Sequence, residues 1–100
     1  MDFKKQGIYL LTFNKDNKPR SFEAEGQAIE FVIAASDAER ARELASKNEK
    51  LHGMEMHHAN AWRNTQVTDC VHIGMTSHYE KETIVVRNAF AACPWCRPTE

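Results

Sequence analysis

The chain has no apolar run long enough to span a bilayer. Its first residues, MDFKKQG, lack the apolar core of a secretory signal. Its cysteines number 3, an odd count that argues against a full disulfide framework. Together these features place the expected setting in the cytoplasm. Neither sign of charge is in excess, since the formal net charge is -1 at pH 7. A general nucleic-acid binder carries a basic excess, and an acidic DNA mimic the reverse, so both classes are disfavoured. Membrane-surface binding by charge is disfavoured on the same ground. No block of like charge offsets this balance. There is also no G-x-S-x-G, P-loop, G-x-G-x-x-G or H-E-x-x-H. Nothing supplies an oxyanion hole or an orienting carboxylate beside a nucleophile. An enzyme is not the expected reading.

What is present is one domain's worth of chain, 100 residues with 42% apolar content. A chain of this size buries roughly two-thirds of its unfolded surface. Many of the apolar residues are alanine and large aromatics are few. The core should therefore be one layer of sheet against one helix. Residues 1–92 are read as a single domain and 93–100 as an irregular tail.

The stretch over residues 29–53 carries the strongest local signals. A buried strand runs straight into a helix near 37–51. Ser36 is a preferred N-cap residue, and Glu39 three positions later completes a capping box. Asp37 and Glu39 suit the positive end of the helix dipole, and Lys47, Lys50 and His52 the negative end. Glu43 and Lys47 are spaced for an i,i+4 pair. Gly53 can take the left-handed position past the helix end. The apolar stripe is Ala38, Ala41, Leu44, Ala45 and Leu51, a narrow face suited to close packing on a sheet.

Residues 7–13, GIYLLTF, read as a strand that is apolar on both faces, which fits a central position. A polar turn follows over 14–19. Residues 28–35 form the second strand, expected to pair antiparallel with the first. Residues 54–63, MEMHHANAWR, read as an irregular or edge strand, with a short helix as the competing reading. Residues 66–75 alternate, with Val67, Val71, Ile73 and Met75 on one face and Thr68, Cys70 and His72 on the other. Residues 83–89 are the last strand, expected to close a hairpin with 66–75. The fold class that follows is α+β: a small antiparallel sheet of about four strands in two hairpins, packed on one main helix.

The tail contains C-P-W-C, formed by Cys93 and Cys96. The spacing resembles the dithiol of thioredoxin-like oxidoreductases, where the motif opens a helix. Here the sequence ends too soon after Cys96 for such a helix. The same spacing is half of a zinc-ribbon site. Cys70 and His72, on one strand face, are the candidate further ligands; His57 and His58 are the others. An incidental pair in a tail is the simplest reading. A different group comprises Met54, Met56, Trp62, Tyr79 and Trp95, all outside the clear core stripes. Met and aromatic side chains of that kind anchor protein interfaces, including homodimers. The competing reading is that they cap the open ends of the core.

In size, near-neutral charge and layout, the chain resembles the small accessory proteins of bacteriophages and mobile elements, anti-CRISPR proteins among them. The resemblance implies a single domain that occludes a surface of a host defence (CRISPR-Cas) complex. It transfers no site residue. The expected function is a non-enzymatic protein-binding module. A zinc-binding or thiol-redox protein centred on Cys93 and Cys96 is the alternative.

Overall fold

In a computed structural model that describes residues 5–14, 28–54 and 56–89, the chain runs β1 (Gln6–Phe13), β2 (Ala28–Ala35), α1 (Ala38–Leu51), α2 (Met56–Ala61), β3 (Thr68–Thr76) and β4 (Thr83–Ala89). The class is α+β, with an antiparallel 4-stranded sheet in the order β3-β1-β2-β4. The central place of β1 explains its apolar residues on both faces. Among the described residues no helix is long and apolar enough to cross a membrane.

β1 and β2 pair antiparallel as their proximity in sequence implies. The second expected hairpin does not form: β3 and β4 occupy opposite edges. β1 and β2 each have two pairing edges, and flanking them on both sides satisfies backbone groups that a separate hairpin would leave open. The connection over residues 77–82 must then cross the end of the sheet, about 14 Å at normal strand spacing, which an extended chain of that length spans. Two contacts hold it there. The Gln6 side-chain amide donates to the Tyr79 carbonyl at 3.1 Å, and the Ser36 amide donates to Glu82 Oε2 at 2.9 Å.

α1 lies on one face of the sheet through Ala41 and Ala45, which are fully buried. They pack into a core of Leu11, Ala28, Phe31, Ile33, Ala35 and Trp62. Leu44 packs at the margin, while Ala38 and Leu51, expected on the same stripe, are exposed. The N-cap is Asp37, not Ser36: the Asp37 carboxylate accepts from the Arg40 amide at 2.8 Å. Ser36 instead donates its amide and hydroxyl to Glu82, so the capping box with Glu39 does not form. The far end closes as expected. Gly53 has φ 78, its amide reaches the Lys50 carbonyl, and the Met54 amide reaches the Glu49 carbonyl. That pair of bonds is a Schellman motif.

The segment read as an irregular or edge strand contains α2. The alternation of Met54, Met56 and His58 mimics a strand, but the buried residues are Ala59 and Trp62, spaced i,i+3. Trp62 is 0% exposed and stands edge-on to Phe13 and Phe31, with ring centroids 4.8 and 5.0 Å away. Arg42 of α1 fixes this corner by donating to the Trp62 carbonyl, the Thr68 hydroxyl and the Thr68 carbonyl. The tail over 93–100, with Cys93, Trp95 and Cys96, lies outside the described residues.

Candidate interaction surface

α1 packs on one face of the sheet, α2 packs against α1, and Trp62 just past α2 joins the same core. The other face meets no described helix, although Ala34 on it is fully buried, and strand register fixes which residues of the described strands stand there. Leu10 stands opposite Val71 on one side and Val32 on the other, and Val32 stands opposite Val86. Val71, Leu10, Val32 and Val86 therefore form one apolar row across every strand. The neighbouring row is Gly74, Ile8, Ala34 and Thr83. On the other side of the apolar row lie Asp69, Thr12, Glu30 and Asn88. Asn88 donates its side-chain amide to Glu30 at 2.5 Å. Val71 keeps 51% of its surface exposed and Val86 39%.

Bulges on the outer strands add to this surface. Tyr9 pairs with His72 and Ile8 with Gly74, so Ile73 is an extra residue on β3. Ile33 pairs with Ile84 and Val32 with Val86, so Val85 is extra on β4. Both side chains are exposed. The bulge also breaks the simple alternation of β3. His72 and Met75 come onto the helix side, where His72 Nε2 lies 3.3 Å from Met75 Sδ. The apolar alternation of β3 is thus split between the two faces, with Val71 on the side away from α1 and Met75 on the side toward it. Of the apolar row the outer members Val71 and Val86 are exposed, while Leu10 and Val32 are half-buried.

The expected interface residues are not gathered in one place. Tyr79 is half-buried at the sheet end where β1 begins, held by Gln6. Met54 and Met56 lie at the opposite end, past the last turn of α1, where Met56 is exposed and Met54 half-buried. Trp62 is a core residue and presents no surface to a partner. Val71, Ile73, Val85 and Val86 on the outer strands present apolar surface beside Leu51, Met56 and Met75; in the sequence they read only as strand formers. Counting both faces of each outer strand, and asking what one helix can cover, was the signal that points to them.

Two charged clusters tie α1 to β4 and to the connection before it. Glu49 is fully buried; its Oε2 accepts from the Ala28 amide at 3.1 Å, and its Oε1 accepts from Arg87 Nε and Nη2 at 3.0 and 2.5 Å. Arg40 donates to Glu82 Oε1 through Nε and Nη2 at 3.0 and 2.8 Å, and also reaches Glu43. The Arg40 side chain, joined by the Ser36 donors, holds the Glu82 carboxyl below the usual carboxylate range against the opposing effect of burial. These are structural contacts: every member is engaged within the fold. A cleft of about 440 Å³ between the start of α1 and the α2–β3 turn is lined by Ala38, Glu39, Arg42, Glu43, Arg63 and Thr65. It holds no Cys or His, and Arg42 is already committed to Thr68 and Trp62.

The zinc reading can be tested on Cys70 and His72. They do share one face of β3. The Cys70 sulfur, however, turns toward the Ala38 carbonyl at 4.0 Å, and burial pushes its thiol pKa up. Zinc requires the thiolate. The His72 ring packs on Tyr9 with centroids 5.1 Å apart. His57 and His58 contact each other on α2. The described residues bring together no cluster of three or more His, Cys, Asp and Glu, and the other two residues of the zinc reading, Cys93 and Cys96, lie outside the described residues.

No family model matches the chain, and neither a curated protein nor a solved structure matches it.

Proposed function

We propose that the chain is a non-enzymatic protein-binding module that acts by covering a surface of a partner protein, using the face of its sheet opposite α1. The observation that carries this reading is the apolar row Val71, Leu10, Val32 and Val86, continuous across all strands and bordered by a polar row. Such an apolar centre with a polar rim is the anatomy of a protein interface. The near-neutral net charge supports a protein partner over nucleic acid. A host defence protein, of the CRISPR-Cas kind that the layout suggests, is the proposed partner class, with the cytoplasm as the place of encounter.

The test is affinity capture from a lysate of the native host, read by mass spectrometry. A stoichiometric protein should be retained by the wild type, lost on combined Val71→Lys and Val86→Lys, and kept on combined Cys93→Ser and Cys96→Ser. Both lysines would be placed at exposed edge-strand positions, so the fold should survive; circular dichroism checks this. Retention that survives the lysine pair but fails in the cysteine pair would overturn the reading in favour of a site centred on C-P-W-C.

A further inference from the structure

We infer that His72 and Met75 form a binding site for a soft monovalent metal ion of the Cu(I) class. The inference goes beyond the protein-binding reading and stands on different residues.

The bulge of β3 makes the site. In a regular strand, residues three apart stand on opposite faces. Here Ile73 is an extra residue, so His72, opposite Tyr9, and Met75, opposite Gly7, both stand on the side of α1. Their side chains meet, with His72 Nε2 3.3 Å from Met75 Sδ. Both residues are exposed, so an ion can reach them from solvent.

β1 holds the pair in place. The Tyr9 ring packs on the His72 imidazole, with centroids 5.1 Å apart and planes inclined by 35°. The same ring leans over Gly7, where a Cβ would lie 2.7 Å from Tyr9 Cε2. Glycine at that position therefore leaves the Tyr9 ring its place beside His72. It also puts no side chain directly across from Met75.

The donor set selects the ion. A thioether is a soft donor that favours Cu(I) over hard cations, and imidazole suits copper as well. Neither donor is a thiolate, so the buried thiol of Cys70 is not needed. With bonds of about 2.0 Å to nitrogen and about 2.3 Å to sulfur, the 3.3 Å separation corresponds to an angle of about 100° at the ion, near tetrahedral. The unbranched Met75 side chain can rotate to direct its sulfur at the ion. With no ion bound, the imidazole can donate Nε2–H to that sulfur; ion binding takes the tautomer whose proton is on Nδ1. Two protein donors leave the other positions of the ion open, so it is held exchangeably.

NMR of the full chain tests the inference. The chain carries Cys70→Ser, Cys93→Ser and Cys96→Ser, because free thiols would compete for a soft ion. Ag(I) serves as a redox-inert stand-in. The Met75 methyl and His72 ring signals should shift together and saturate at about one ion per chain, and Cu(I) without oxygen should move the same signals. Zn(II) should leave the Met75 methyl unmoved. Met75→Leu and His72→Ala, both at exposed positions, should keep the circular dichroism of the parent. Each should weaken Ag(I) binding by about tenfold or more, since even the loss of an outer-shell partner costs that much. A Met75 methyl that stays still at saturating Ag(I) overturns the site. So does a first shift at Met54, Met56, His57 and His58, or an affinity unchanged by Met75→Leu. A Zn(II) shift equal to that of Ag(I) overturns the assignment to a soft ion.

Discussion

Glu49 has both carboxylate oxygens occupied at full burial, one by the Ala28 amide and one by Arg87. A charge in that position is tolerated because its partners are in place. Glu49→Ala removes the buried acceptor of the Ala28 amide and of two Arg87 hydrogen bonds, so it should cost about 3–5 kcal/mol of unfolding free energy in urea. A loss below about 1 kcal/mol would show the pair open to water, as surface ion pairs are. The position is legible in part: Ala41, Ala45 and Glu49 are spaced i and i+4 on one stripe, yet nothing local in the sequence pairs Glu49 with the Ala28 amide and Arg87. Trp62 was misread for the opposite reason. Its segment lacked a clean period, so an aromatic core residue looked like an exposed anchor. Trp62→Ala should cost about 3–5 kcal/mol. Trp62→Phe should cost much less, because the buried indole N–H has no hydrogen-bond partner among the described residues. Equal losses for the two would mean that the indole nitrogen is satisfied after all.

Element boundaries were the most legible level, because their signals are local. β2 and β4 begin and end where their alternation does, and the α1 C-terminus stops at Gly53 as its left-handed φ demands. The N-cap was displaced by one residue. Ser36 and Asp37 both favour that position, and Glu82, remote in sequence, decides between them by engaging Ser36. Asp37→Ala should therefore cost about 1 kcal/mol, while Ser36→Ala should cost only a few tenths, since the capping carboxylate remains. Urea unfolding of the two variants side by side settles which residue caps the helix; a larger loss for Ser36→Ala would reverse the assignment. Strand pairing was less legible than strand existence. Nothing local in β3 or β4 tells a hairpin from a crossover, and the Gln6–Tyr79 and Ser36–Glu82 contacts that hold the crossover link distant parts of the chain. The face exposed by β3 was hidden by its bulge, which a period-2 reading cannot see.

At the scale of the whole molecule, the strand order makes stability uneven. β1 and β2 are hydrogen-bonded along both edges, whereas β4 depends on β2 and on its ties to α1 through Glu49 and, by way of the connection, Glu82. Hydrogen-exchange protection should therefore be highest in β1 and β2 and lower in β3 and β4. Acid should widen that difference from one end. The folded-state pKa of Glu82 is lowered, chiefly by the Arg40 hydrogen bonds and then by the Ser36 donors. A lowered folded pKa means that the stabilisation is complete above the ordinary carboxylate range and is lost as pH falls through the folded value. Lys5, Glu80 and Lys81 line a second cleft together with Ser36, Arg40 and Glu82, and Glu43 shares Arg40, so the change is read best locally. As pH falls below the carboxylate range, protection factors should drop first at Ser36 and along β4, with β1 following only at global unfolding. Glu82→Gln should show the lowered β4 protection already at neutral pH and a flatter response to acid. A parallel loss of protection in all four strands of the wild type would mean that acid acts on the molecule as one cooperative unit, and that the crossover is no weaker than the sheet it spans.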